Sequence, residues 1–415
     1  MKIVGITGTN GKTTCVHLIC NLLKNYVNCA SFGTLGIKQY INNDCFSTPT
    51  TLTTLGNYEL HNNLSKVAEN TCEFVAMEVS SHGLDQNRVA NIDFCVAVFT
   101  NLSQDHLDYH KTMENYFNTK IKLFTKYNNG LRIALINLDD KYGVKLINIL
   151  LKNKNNNLKI IGFSTKNTQE LLKINNIFNV IDKITCEQKS FNFLGIEATV
   201  NTPWGTGLLN TKLLGEHNLS NLLASIATIM CCYSNSISLS MLLNSCKSLY
   251  PATGRLQQID SSLDYPRVLV DYAHTPDGLA KALQAIKNHY PNNKICCVFG
   301  CGGNRDRAKR PQMLQIADDY CDIVILTQDN SRFEEPEQII NDILSYKTTK
   351  LSVVPIVEMD RKKAIYKAIK NYYGDYIIII AGKGHETKQI IGDKEYLFCD
   401  QEVVENALGE IINYS

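Results

Sequence analysis

Short apolar runs recur along the chain, each followed by a polar or glycine-containing turn and then by a stretch with apolar positions at helical spacing. Strands are predicted at Lys2–Ile6, Phe74–Val79, Phe94–Phe99 and Arg132–Ile136, and a second series at Val268–Tyr272, Lys294–Phe299, Asp322–Leu326, Ser352–Val357 and Tyr376–Ile380. These runs are nearly continuous in Val, Ile and Cys, which suits strands buried on both faces in a parallel sheet. Helices are predicted at Val16–Leu23, Gly278–Asn288 and Arg361–Asn371. Strands alternating with helices give an α/β architecture. The polar stretch Lys152–Lys159 reads as a surface loop. A Pro/Gly turn at Pro251-Ala252-Thr253-Gly254 precedes the second strand series, so two domains are expected, 1–250 and 251–415. No internal repeat is evident.

Composition narrows the function classes. The 415 residues are 44% hydrophobic and 20% charged, enough for sizeable cores. With 42 basic and 40 acidic residues there is no clustered basic excess, and nucleic acid is not an expected partner. No apolar run reaches the roughly 18 residues of a membrane span. Met1 leads directly into the first predicted strand, which leaves no room for a signal peptide, and a cytoplasmic location is expected. The 15 cysteines form no Cys-x-x-Cys pair, so reduced, mostly buried thiols are expected rather than a zinc site.

Candidate chemistry begins at Gly8-Thr9-Asn10-Gly11-Lys12-Thr13-Thr14, between the first strand and an apolar helix. Strand, glycine turn and helix N-terminus make a P-loop-like phosphate cradle, in which Lys12 reaches the terminal phosphates and the Thr13 hydroxyl binds Mg²⁺. The usual pattern has glycine where this chain has Ile6, so the loop is a variant. A plain glycine turn before a helix is the blander reading. Glu78 ends the strand that runs into Val79-Ser80-Ser81-His82, where an α/β nucleotide site needs a metal-binding carboxylate. Asp105-His106-Leu107-Asp108-Tyr109-His110 places two His and two Asp in six residues after another strand and suggests a metal shell, with a solvated polar loop as the alternative. Lys120 reads as an ordinary surface lysine of a helix. Asn218 and Asn221 share a helix face and could read an adenine edge, or Asn218 could cap the helix.

Gly5-Ile6-Thr7-Gly8-Thr9-Asn10-Gly11-Lys12-Thr13-Thr14 resembles the signature of the Mur ligase family, enzymes that build the peptide stem of bacterial cell-wall precursors. Similarity runs along essentially the whole chain and is strongest to the member that adds the third residue. It implies a central ATPase domain followed by a Rossmann-like C-terminal domain, with ATP and Mg²⁺ as cofactors and a carboxylate joined to an amine through an acyl phosphate. By resemblance, Thr13, Glu78, His106 and a carbamylated Lys120 hold Mg²⁺, and Ser80, Gln86 and Arg88 contact a UDP-muramoyl-dipeptide acceptor. Ser47-Thr48-Pro49-Thr50-Thr51 resembles the family's acceptor loop, with Thr48 favoured; a hydroxyl-rich turn is the plainer reading. Gly215-Glu216-His217-Asn218-Leu219-Ser220-Asn221 is similar to a nucleotide-side element. Arg255, Asp271 and His274 are implied to close over ATP.

Three further segments follow predicted strands: Gly300–Arg307 with Arg305, Asp329-Asn330-Ser331-Arg332, and Gly382-Lys383-Gly384-His385-Glu386. Strand ends converge on one rim. Two arginines there can hold a carboxylate while Glu386 accepts a distal ammonium, which fits a diamino acid. Family members selecting meso-diaminopimelate carry Asp-Asn-Pro-Arg; here Ser331 replaces the proline and is expected to loosen the turn, while Arg332 stays, favouring diaminopimelate over lysine. The family's usual N-terminal domain, which holds the uridine diphosphate, is not matched. A separate chain supplying it is one expectation, weaker acceptor binding or a different acceptor are others. A ligase of the folylpolyglutamate type and a non-catalytic ATP-binding partner remain as alternatives.

Overall fold

The structure is a computed structural model that describes all residues except 43, 154–156, 175–178, 180, 260–266, 347–351, 373 and 413–415. The chain separates into two compact units, Met1–Tyr250 and Pro251–Ser415.

The first unit is built on one large sheet. Its strands are β1 (Lys2–Thr7), β2 (Cys29–Gly33), β3 (Gly36–Ile41), β4 (Asp44–Thr48), β5 (Phe74–Glu78), β6 (Val96–Phe99), β7 (Ile133–Asn137), β8 (Lys159–Phe163), β9 (Asp182–Asn192), β10 (Gly195–Thr202) and β11 (Gly205–Thr211). They lie in the order β11-β10-β9-β8-β7-β6-β1-β5-β2-β3-β4. The stretch from β9 to β2 is parallel throughout. Antiparallel hairpins extend it at both edges. Alternate residues of the parallel strands serve two cores, as the pleat requires. Val4, Ile6, Ala76, Val96 and Val98 pack under the helices Lys12–Leu23 and Glu216–Tyr233, while Val75, Met77, Ala97 and Phe99 pack on Phe117 and Phe124.

The second unit holds β12 (Gln257–Ile259), β13 (Arg267–Asp271), β14 (Lys294–Phe299), β15 (Ile323–Leu326), β16 (Ile356–Val357) and β17 (Tyr376–Ala381) in the order β12-β13-β17-β14-β15-β16. Only the β12–β13 pair is antiparallel. A small hairpin follows, β18 (Lys388–Ile391) and β19 (Lys394–Leu397). On one face Val268, Val270, Cys296, Val298, Ile378 and Ile380 pack against the helices Arg361–Asn371 and Asp400–Ile412.

Some expectations need correction. The run Ser352–Val357 is a strand only at Ile356–Val357: Pro355 has no N–H to give a ladder, and the Val353 amide is taken by Asp318 Oδ1 at 2.9 Å. The Phe94–Phe99 strand starts at Val96. Lys152 ends a helix and Lys159 opens β8; part of the stretch read as a loop lies outside the described residues. Strands β2–β4 and β8–β11 do not stand out as unbroken apolar runs; β4, at one edge, and β9, inside the sheet, carry more polar than apolar positions. All fifteen cysteines are free and Cys45 is the exposed one. Among the described residues no helix is long and apolar enough to cross a membrane.

Candidate functional site

In the first unit the site grows out of the end of β1. The backbone turns at Gly8 (φ 149°) and Gly11 (φ 87°) before the helix Lys12–Leu23 starts. Both glycines are forced by closeness: a Cβ on Gly8 would lie 1.9 Å from Thr100 Oγ1, and one on Gly11 2.4 Å from Asn221 Oδ1. The Thr9 amide donates to Asn101 O and the Asn10 amide to Asn101 Oδ1, each at 2.9 Å. Thr100 Oγ1 donates to Asn10 O at 2.6 Å. Lys12 folds back over the turn, its Nζ donating to Gly8 O and Thr9 O at 2.9 Å. The buried Thr7 hydroxyl oxygen at the root of the loop has no hydrogen-bond partner among the described residues. A rigid loop, a helix N-terminus and an ammonium together make an anion cradle.

Beside it, Glu78 at the end of β5 is 1% exposed. Its carboxylate accepts from Thr13 Oγ1 at 2.9 Å, from the Thr34 amide at 2.8 Å and from Thr34 Oγ1 at 3.3 Å. A narrow cleft runs past Thr13, Ser31, Gly33 and Glu78. Hydroxyl and carboxylate side by side at a phosphate cradle are a fit donor set for a hard divalent cation. Thr14 is buried in the helix.

Lys120 overturns its surface assignment. It ends the helix Met113–Lys120, is 1% exposed, and donates to Gly8 O at 2.8 Å with Nζ 4.6 Å over the Tyr116 ring. Burial, and then the charge of Lys12, hold its pKa well below the ordinary lysine value, with Asp105 pulling the other way. His106 takes a left-handed conformation (φ 53°) with its ring 3.4 Å from Asp105, and burial lowers its pKa to about 4. Its ring meets His82 edge-on at 5.0 Å. His110 is buried, hydrogen-bonded to Ser81 Oγ at 2.9 Å and stacked on Tyr116. Among the described residues no three His, Cys, Asp or Glu side chains are arranged to hold one metal. The His and Tyr rings of the Asp105–His110 run gather with His82 and Tyr116 into one aromatic cluster.

Ser80 caps the helix Ser81–Asp85, accepting the Gly83 amide at 3.0 Å. Arg88 donates through Nη1 to Thr54 O at 2.8 Å and through Nε to Gln86 Oε1 at 3.0 Å, so Gln86 aims the guanidinium. Thr48 closes β4 and is exposed. Thr34 and Thr54 were missed by sequence reading. Thr54 donates to Glu78 O at 2.9 Å and accepts the Ser80 amide at 3.0 Å, linking the end of β5 to the cap of the next helix. The hydroxyl-rich run Ser47–Thr54 was the available signal.

Asn218 is not the cap of its helix. Gly215 occupies the cap position of their helix, and Asn218 Nδ2 donates to Leu214 O at 2.8 Å. Asn221 Nδ2 reaches Asn218 Oδ1 at 3.4 Å, and its Oδ1 accepts from Cys15 Sγ at 3.6 Å. Both are buried with their amides turned inward. Asn221 is a floor beneath Gly11, where the loop touches it.

In the second unit, Asp271 accepts the Leu256 amide at 2.6 Å and the Ala273 amide at 2.8 Å. Burial pushes its pKa up to about 6 against the opposing pull of Arg255. Arg255 lies 4.5 Å over the Tyr272 ring, and His274 Nδ1 is 2.9 Å from Tyr272 O. The three sequence-predicted residues thus share one cluster around Tyr272.

The rim residues also meet. Asn330 Nδ2 donates to Glu386 Oε2 at 2.9 Å. A Cβ on Gly382 (φ 117°) would stand 2.7 Å from Asp329 Oδ2. Arg332 Nη1 donates to Gly303 O at 3.0 Å, and Arg305 lies close enough to help lower the Arg332 pKa, after desolvation. Ser331 does not loosen its turn. It is 1% exposed, its Oγ accepts from Gln328 Nε2 at 3.2 Å, and the next amide, Arg332 N–H, bonds Ile390 O at 3.1 Å. Of the two, the bond at Ser331 Oγ is the one a proline could not form.

Comparison with known proteins agrees with this geometry. Residues 6–229 match the Mur ligase middle domain and residues 254–384 the Mur ligase glutamate ligase domain. UDP-N-acetylmuramoyl-L-alanyl-D-glutamate–2,6-diaminopimelate ligase of Coxiella burnetii is 39% identical over 98% of this chain and 78% of its own length. The protein of the same name from Buchnera aphidicola is 40% identical over 99% of this chain and 78% of its own. A solved structure of a ligase of that name superposes with a TM-score of 0.67 at 35% identity, covering 99% of this chain and 79% of the other. The fold is also that of a MurF ligase from Thermotoga maritima solved with ADP, at a TM-score of 0.66 and 16% identity. On its phosphate loop, its two matched domains and these relatives, the chain belongs to the Mur ligase family.

Proposed function

We propose that this protein is an ATP-dependent ligase that joins meso-diaminopimelate to UDP-N-acetylmuramoyl-L-alanyl-D-glutamate, a step of peptidoglycan precursor synthesis. The observation that carries the substrate reading is that Arg332, Asn330 and Glu386 stand on one rim, in a chain about 40% identical to ligases named for that reaction. Arg332 with Arg305 suits the distal carboxylate and Glu386 the distal ammonium.

The gly-rich turn Gly8-Thr9-Asn10-Gly11 and Lys12 grip the triphosphate, leaving its γ-phosphorus open to the acceptor carboxylate. Attack there gives an acyl phosphate and ADP. The amine of the incoming amino acid then attacks the acyl carbon, and loss of phosphate leaves the amide. The chain's part is to place two anions and an amine together and to exclude water. Mg²⁺, when bound, offsets charge on the transferred phosphoryl group. Thr13 and Glu78 are the proposed ligands of one ion, His106 and Lys120 of a second. A buried, neutral-leaning Lys120 amine is the form that CO₂ carbamylates, which would turn it into a carboxylate-like ligand. Ser80, Gln86, Arg88 and Thr48 are proposed to face the acceptor, and Arg255, Asp271 and His274 to serve the nucleotide.

Phosphate release from ATP with UDP-muramoyl-dipeptide, with meso-diaminopimelate and L-lysine in parallel, tests this. Release with diaminopimelate alone is expected. Release with lysine alone would overturn the Arg332 argument and keep the ligase. Release with neither, even after a separate uridine-diphosphate-binding domain is added, would overturn the ligase reading.

A further inference from the structure

Lys383 lies between the two glycines of the Gly382–Glu386 turn and is 0% exposed. A buried ammonium must find an acceptor for each of its three protons. Lys383 Nζ has three: Asn330 Oδ1 at 3.1 Å, Glu386 Oε2 at 3.0 Å and Lys388 O at 2.6 Å. It therefore ties the Asp329–Arg332 loop, its own turn and β18 together. Its bond fixes which way the Asn330 amide points: Oδ1 receives Lys383 and the Ile390 amide at 3.0 Å, and Nδ2 is left to donate to Glu386 Oε2. Lys383, Asn330 and Glu386 form a closed triangle. Two donors occupy Glu386 Oε2, and its Oε1 has no hydrogen bond among the described residues.

Charge gives the triangle its consequence. Glu386 is the carboxylate that pairs with Lys383, so its negative charge is already balanced. Around it, Arg305, Arg332, Lys383 and Arg361 stand against Asp329, Glu386 and Asp400, one cation in excess. A ligand end that brings only an ammonium adds a further positive charge to this rim. One that brings an ammonium with its own carboxylate adds none.

We propose that Lys383 is a specificity-determining positioning residue. Its ammonium sets the geometry of Asn330 and Glu386 and cancels the Glu386 charge, so the rim prefers an amino-acid end bearing both charges over a bare ammonium. This rests on the reading of the rim as the diamino-acid pocket. Specificity here is a difference between two affinities, produced as much by rejecting the wrong end as by holding the right one.

The test is steady-state phosphate release by the full chain and its Lys383→Met and Lys383→Gln variants, with meso-diaminopimelate or L-lysine as the varied substrate. Lys383→Met is expected to raise KM for diaminopimelate about tenfold, with KM for ATP within about twofold, because the half-buried Glu386 carboxylate loses its charged partner and the donor that orients it. The ratio of kcat/KM for diaminopimelate over lysine is expected to fall about tenfold, since an uncancelled Glu386 recruits a lone ammonium. Lys383→Gln keeps two donors without the charge; it should recover much of KM but not the ratio. A purely structural role would lower kcat/KM for both amino acids in proportion and leave the ratio unmoved, which would overturn the proposal. If Lys383→Met fails to fold, as judged by cooperative thermal melting, the ratio in Lys383→Gln decides. If the unchanged chain turns over neither amino acid, the ligase reading fails instead, and calorimetric binding of the two amino acids to chain and Lys383→Gln decides for Lys383 by the same ratio.

Discussion

Lys120 and Lys12 show how far apart two lysines of one site can be in physical state. Lys12 stays at the mouth of a helix, its Nζ folded over the turn onto Gly8 O and Thr9 O. Lys120 is sealed beneath it, donating to the Gly8 carbonyl that Lys12 also uses. A buried cation without a close carboxylate is costly to keep, so its replacement by an apolar side chain of similar length should be tolerated by the fold. Lys120→Met is expected to melt no lower than the unchanged chain while losing at least about a hundredfold in ligation rate, the scale of removing one preorganised electrostatic group. A drop in melting temperature together with retained activity would reverse that view. Nothing at the level of sequence marks Lys120 off from the other helical lysines; only its enclosure by Tyr116, Lys12 and the loop does.

Among the elements, the second unit is pinned by ionic ties that the apolar pattern does not reveal. Arg361, at the start of its helix, forks onto Asp400 at the start of the last helix, Nε and Nη2 each at 2.7 Å, and Nη2 also reaches Ala381 O at 3.0 Å. Both side chains are fully buried. Arg361→Met leaves Asp400 alone in the interior and should cost about 3–5 kcal/mol in urea unfolding, whereas the double change Arg361→Met with Asp400→Leu should recover most of it. Glu334 ties the Arg305-bearing loop to the helix Lys309–Tyr320, accepting from Arg310 Nη1 at 2.9 Å and Arg307 Nη2 at 2.8 Å. These partners hold its pKa down to about 2 from an ordinary 4.5. A lowered carboxylate pKa means stability fully present above about pH 4.5 and lost as pH falls toward 2. Melting temperature against pH should show that loss, and Glu334→Gln should flatten it. Nothing near Arg310 or Arg361 in the sequence points to these partners, because residues so distant along the chain leave no local trace.

At the scale of the whole molecule, two sheets carry separate cores. Those of the first unit draw on Val4 through Leu249, and that of the second on Ile259 through Leu408. A chain of residues 251–415 made alone should unfold cooperatively in urea; a broad, featureless transition would show that the second sheet depends on the rest of the chain. The turn at Pro251–Gly254 that suggested a division from sequence lies where the compact units part.

Local rules settled what local chemistry controls. Buried strands announce themselves as Val and Ile runs, a phosphate loop needs glycines at fixed spacing before a helix, and both are short-range properties of the chain. So β1, β5, β6 and β7, the cradle at Gly8–Thr14 and the acidic strand end at Glu78 were readable from residues alone. Tertiary structure decided everything that depends on what a side chain meets far along the chain. It sank Lys120 into the interior, set Asn221 beneath Gly11 and brought the rings of His82, His106 and His110 together. It also clamped Ser331 with Gln328 and closed Lys383 onto Asn330 and Glu386. Burial and charge pairing are properties of neighbourhoods, and neighbourhoods exist only once the sheet has brought its strand ends together.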